Sequence, residues 1–207
     1  MSTTEGQLVD YQRYRIQALW VVAVVSLLML LFVGPKAASN GLAHELIEYV
    51  GRALIMSAVL GRTWSTLYLG GRKLSEIVDT GPYSIVRNPL YVFSLIGVFG
   101  IGLETSSVTL AFILLAMVAV VFHIITRQEE SALRLKFGAP FEEYCARVPR
   151  MIPKFSLWRN NDKILVSPSR VVSTFFDSSM MFLAIPICEG VEWLQLHNYV
   201  PVLLHLP

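Results

Sequence analysis

Charge is what this chain has least of. Asp, Glu, Lys and Arg make up 15% of its 207 residues, against 54% hydrophobic residues, and the mean hydropathy is +0.56. So few charges cannot solvate the surface of a folded chain this long, which argues against an ordinary soluble enzyme. Cysteine is nearly absent: Cys145 and Cys188 are too few for a disulfide framework or a zinc cluster and read as small buried apolar residues. No internal repeat or low-complexity tract is present. Nor is there a basic run with interleaved aromatics, which argues against a nucleic-acid partner. The first apolar run follows a fifteen-residue polar segment and is not followed by a small-residue cleavage site, so it reads as a retained span rather than a signal peptide.

What the chain does have is long stretches without charge. Ile16–Pro35 runs for twenty residues and Thr105–Thr126 for twenty-two, and about twenty apolar residues cross a bilayer as a helix. The expected fold is an all-α integral membrane bundle of about five helices. Its spans fall at Ile16–Pro35, Leu42–Gly61, Leu90–Leu103, the helix after the Glu104–Ser107 turn, and Val171–Ile187. In the second span Glu45, Glu48 and Arg52 lie three and four apart and share a face, toward neighbouring helices or an interface. Net charge is only +2, but position matters more. Fifteen of the seventeen Lys and Arg lie before the first span, between Arg62 and Arg87, or between Arg127 and Arg170. With one crossing per span these segments share a face, and the positive-inside rule makes it cytoplasmic.

Two polar segments on that face carry more order than a linker needs. In Gly81-Pro82-Tyr83-Ser84-Ile85-Val86-Arg87-Asn88-Pro89-Leu90-Tyr91, Gly-Pro forces a turn. Pro89 suits the first turn of a helix with Asn88 as its N-cap, so Arg87 and backbone N–H groups would converge on an anion. The second segment opens with Glu129-Glu130 and continues through Phe137-Gly138-Ala139-Pro140, Phe141, Tyr144 and Val148-Pro149-Arg150-Met151-Ile152-Pro153. Two carboxylates at the end of an apolar helix need partners, for which Arg87, Arg127 and Arg134 are candidates. Phe137, Phe141 and Tyr144 have packing spacing. The four histidines (His44, His123, His197 and His205) read as structural, and no metal is expected at the site.

The pattern GPYSIVRNPLY, a hairpin of two spans ending in EE, then KFGAPFEEYCARVPRMIP resembles the isoprenylcysteine carboxyl methyltransferase and phospholipid methyltransferase superfamily. The likeness covers about residues 61–153, with 154–207 as a C-terminal extension of a single membrane domain. One departure is Asn88 where many members carry histidine, which removes an acid or base there. The resemblance implies S-adenosylmethionine as cofactor in a cytoplasmic-face pocket, held by Arg87, Asn88, Pro89, Leu90, Tyr91, Glu129 and Glu130. Its implied catalytic set is Glu130, as base if the acceptor needs one, Arg150 on an anionic headgroup or substrate carboxylate, and Tyr144. The expected acceptor is lipophilic or membrane-associated: an isoprenylcysteine-like carboxylate or a phospholipid amine. Alternatives are a nicotinamide-dependent reductase of the sterol type and a non-catalytic membrane interaction protein.

Overall fold

The computed structural model describes residues 21, 23–35, 41–70 and 76–206. The start of the first expected span, residues 16–20, lies outside them. The described helices are α1 (Ala23–Phe32), α2 (Leu42–Leu69), α3 (Pro82–Ile85), α4 (Pro89–Leu103), α5 (Val108–Phe137), α6 (Ala139–Arg147), α7 (Pro168–Ser179) and α8 (Ala184–Leu196). Among the described residues the fold is all-α but for one small parallel pair, in which Val33–Pro35 (β1) aligns with Leu204–Leu206 (β2).

Helix lengths depart from the hydropathy reading for local reasons. The second expected span ends at Gly61, yet α2 continues to Leu69. Thr63, Ser65 and Thr66 return their hydroxyls to the carbonyls of Val59, Gly61 and Arg62, so polar residues that look like a loop are satisfied within the helix. The helix stops at Gly70, whose φ of 52° is left-handed and whose N–H reaches Thr66 O, a glycine-type C-cap. Likewise α5 passes Thr126 and ends at Gly138, at φ 59°. At its other end Ser107 accepts the Leu110 N–H, an ordinary N-cap. The fifth expected span falls inside a helical run, Pro168–Leu196. There a 3-10 turn, Met180–Leu183, interrupts the α pattern just before Pro186, which sits in the first turn of α8 where a missing N–H is tolerated.

Small residues let α2 and α4 touch. A Cβ on Gly100 would come within 2.7 Å of Gly51 O, and one on Gly97 within 2.9 Å of the Ala58 Cβ, the close backbone approach used by helices in lipid. Arg62 then ties three helices together, donating from Nε to Ser178 Oγ on α7 at 2.7 Å and from Nη1 to Ser94 on α4. At the far end of α2, Arg52 contacts Glu48, Glu104 and Glu189. Two of the three charges expected on one face, Glu48 and Arg52, do turn toward neighbours, while Glu45 is exposed.

Among the described residues, two helical runs, α5 and Pro168–Leu196, are long and apolar enough to cross a membrane; α1 and α4 are shorter apolar helices. Only 33% of the most apolar stretch of α5, and 11% of that in the Pro168–Leu196 run, is buried inside the protein. Phe112, Val120, Ile124 and Phe176 point outward. A soluble core helix would be mostly buried, whereas apolar surface this extensive is consistent with membrane association.

Candidate functional site

At the end of the bundle where α2 and α5 finish, a cleft opens between the α3–α4 junction, α5 and α6. It encloses about 110 Å³, and its walls include Leu69, Glu76 and Ile77 as well as Tyr83, Arg87–Tyr91, Glu129, Glu130, Leu133, Phe137, Phe141 and Tyr144. The structure thus gathers Arg87, Asn88, Pro89, Leu90, Tyr91, Glu129, Glu130 and Tyr144, which the sequence had assigned to one site. Arg150 is not among the lining residues.

The α3–α4 junction is shaped by its glycine and held by a strap, residues 149–159, that runs alongside it. Gly81 sits at φ 58° and ψ −134°, and Pro82 follows it in α3. An added Cβ there would collide with the Tyr68 ring, so conformation and space both require glycine. Backbone bonds then zip the two segments together: Gly81 N–H to Arg159 O at 2.7 Å, Arg87 N–H to Pro149 O at 2.9 Å, and Lys154 N–H to Ile85 O at 2.9 Å. Ser84 Oγ donates to Gly81 O and accepts from Arg159 N–H. Outside this seam, Asp79 accepts from both Arg147 and Arg159.

Glu130 is the electrostatic centre. Its side chain is only 6% exposed, and it accepts a bidentate pair from Arg150, Nε to Oε1 at 2.9 Å and Nη2 to Oε2 at 2.7 Å. Arg87 Nη1 adds a third contact to Oε1 at 3.0 Å. Fork-to-fork pairing of this kind is strong and fixes orientation. Hydrogen bonding to the Glu130 carboxylate raises the Arg150 guanidinium above its ordinary value. Of the partners expected for the adjacent acids, Arg87 is therefore one; Arg134 instead lies 3.5 Å from Glu142 at the surface. The principal partner is Arg150, which had been expected to meet substrate.

Several expected roles need revision. Asn88 does not cap α4: its side chain donates to Arg150 O at 3.3 Å. Pro89 has no N–H, and those of Tyr91 and Val92 are spent on Asn88 O, so the helix start offers little to an anion and Arg87 must do that work. Tyr144 lines the cleft, yet it donates its hydroxyl to Tyr83 O at 2.8 Å and so holds α6 against the turn. Burial raises the phenol of Tyr144; burial, with the charge of Glu129, raises that of Tyr83. Both stay neutral. Tyr91 leans on Phe122 with centroids 4.7 Å apart.

Among the described residues, two buried polar atoms in the cleft wall have no hydrogen-bond partner: Arg87 Nε and Tyr83 Oη. Unpaired buried donors are costly and call for an explanation. Tyr83 and Glu76 had not been singled out as site residues. Tyr83 lay inside the recognised motif, whereas Glu76 had no local signal, only its position in space.

The phospholipid methyltransferase family matches residues 47–139. The nickel-cobalt-cadmium resistance protein NccN of Alcaligenes xylosoxydans xylosoxydans is 33% identical over 195 residues, covering 94% of this chain and 91% of the relative. The chain belongs to one family with NccN and carries a phospholipid methyltransferase domain. A second relative, the cobalt-zinc-cadmium resistance protein CzcN of Cupriavidus metallidurans, is 33% identical over 175 residues, covering 84% of this chain and 80% of the relative. No solved structure gives a significant match. Within the methyltransferase domain lie Arg87–Tyr91, Glu129 and Glu130; Tyr144, Arg150 and the strap lie beyond its match.

Proposed function

We propose that the chain transfers a methyl group from S-adenosylmethionine to a lipophilic acceptor at a membrane. The carrying observation is the cleft in which Arg87 Nε and Tyr83 Oη stand without partners, beside Glu129 and an apolar wall of Leu133, Phe137 and Phe141. When bound, the cofactor supplies an electrophilic methyl group on a sulfonium. The residues present fit its chemistry. Arg87 offers a donor to the amino-acid carboxylate and Glu129 an acceptor to the ammonium, while Tyr91 and the apolar wall suit the adenosine. Glu130 fixes Arg87 and Arg150 in place; with both carboxylate oxygens engaged by guanidinium groups it serves as anchor rather than base. Methyl transfer asks mainly that donor and acceptor be aligned and water excluded. A carboxylate acceptor, as in an isoprenylcysteine-like molecule, needs no base, whereas a phospholipid amine must first lose a proton.

The family match supports this reading over a nicotinamide-dependent reductase. The exposed apolar helices support a lipid-soluble acceptor, and the distribution of Lys and Arg supports a five-span topology with the cleft on the cytoplasmic side. The relatives' names, which refer to resistance to nickel, cobalt, zinc and cadmium, support a role in tolerance of divalent metals. The test is to incubate purified full-length protein with methyl-labelled S-adenosylmethionine and total membrane lipid, then identify labelled products by mass. A labelled lipid is expected, and its identity distinguishes amine from carboxylate. Absence of calorimetric binding of the cofactor and of its demethylated product, in folded protein, refutes the reading.

A further inference from the structure

We propose that His44, Glu48 and Glu192 form a binding site for a divalent transition-metal cation at the end of the bundle away from the cleft. The proposal stands on different residues from the methyltransferase reading and does not depend on it. His44 and Glu48 are four apart on α2 and share a face; Glu192 comes from α8. His44 Nε2 lies 3.0 Å from Glu48 Oε1 and 3.7 Å from Glu192 Oε1, and one ligand atom from each residue falls within 4.8 Å of the others. Nitrogen and oxygen donors about 2.1 Å from a tetrahedral ion sit about 3.4 Å apart, so the three atoms need only small adjustments to share one.

Three further observations point to a cation. First, His44 is 8% exposed and presents its Nε2 to both carboxylates, so the end of a buried ring that can ligate is aimed into the cluster. Second, charge is unbalanced. Three carboxylates, Glu48, Glu104 and Glu189, contact Arg52, and Glu192 adds a fourth beside His44, so among the described residues the acids gathered here outnumber the one guanidinium. Third, the side chain of Glu192 is 29% exposed, which leaves an entry path and open positions for water. One imidazole with two carboxylates suits zinc, cobalt or nickel better than magnesium or calcium, which favour all-oxygen sites. His44 is about 37 Å along α2 from Leu69 in the cleft wall, at 1.5 Å per residue. The ion would therefore take no part in methyl transfer. It would instead fasten α2 to α8.

The test uses full-length protein without a histidine tag, stripped with chelator in detergent and titrated with Co²⁺ alone, followed by visible ligand-field absorption and calorimetry. One equivalent bound at micromolar or tighter affinity is expected. His44→Gln and Glu192→Gln should each weaken it at least about tenfold, while Glu189→Gln, outside the triad, should retain it. Since Glu192 lies at the rim, its variant decides the matter if the His44 variant does not fold. Folded wild-type protein that binds no Co²⁺, or a Glu192→Gln variant that binds it as tightly as wild type, overturns the proposal.

Discussion

Replacing Glu130 by Gln keeps the shape of the side chain and removes its charge, which isolates what that charge does. Glu130 answers two guanidinium groups through three contacts of 2.7 to 3.0 Å. With the amide in its place, Arg87 and Arg150, 13% and 27% exposed, face each other without a counter-charge, and one amide N–H₂ points at a cation. Removing one partner of a buried pair costs about 3 to 5 kcal/mol. Because Arg150 is partly solvated, the lower end applies, about 3 kcal/mol, or roughly a hundredfold in an equilibrium or rate. Arg87 forms part of the cleft wall, so the loss should appear in cofactor affinity and turnover as well as in thermal stability. The assay compares calorimetric titration with S-adenosylhomocysteine, methyl transfer and unfolding temperature in wild type, Glu130→Gln and Glu129→Gln. Glu129→Gln is expected to weaken cofactor binding while leaving the unfolding temperature near wild type. A Glu130→Gln protein with near-native unfolding temperature and turnover would refute the anchoring role.

Tyr144→Phe leaves Tyr83 O short of a buried donor, and a cost of about 1 to 3 kcal/mol is expected in thermal unfolding, with turnover reduced far less than in Glu130→Gln. Gly100→Val drives a side chain against Gly51 O, where even a Cβ would stand at 2.7 Å; size-exclusion chromatography in detergent should show loss of the monodisperse species. The phenols of Tyr83 and Tyr144 are both raised above the ordinary 10.0, so the folded state holds their protons more tightly than the unfolded chain. Their contribution is complete below pH 10 and is lost as pH rises beyond it. The unfolding temperature should fall above about pH 10, less steeply in Tyr144→Phe, and an equal slope in the two proteins would contradict the assignment.

Apolar runs located the helices well but not their ends, because hydropathy reports where lipid stops and hydrogen bonding decides where a helix stops. That is why α2 outruns Gly61 through Arg62, Thr63 and Ser65, and why α5 outruns Thr126. The cleft residues were legible because most of them lie in two short motifs. The partner of Glu130 was not: Arg150 is twenty residues away, and only the pairing of residues 149–159 with the turn at Gly81 brings it back. Asn88 misled because its cap-like position before Pro89 does not reveal the competing carbonyl of Arg150. The nearness of Glu192 to His44 was not legible either, because Glu192 is distant in sequence and arrives on another helix.

The strap has a consequence for how this domain can be cut and moved. Among the described residues, the backbone bonds that hold the turn bearing Arg87 from behind come from residues 149–159, and the counterpart of Glu130 comes with them. All of these lie past residue 139, where the family match ends. A chimera that transplants residues 47–139 alone would bring the walls of the cleft without its back brace, with Glu130 robbed of its principal ion-pair partner. The smallest portable unit is instead bounded by Arg159, and exchanges meant to alter the acceptor should leave that seam whole.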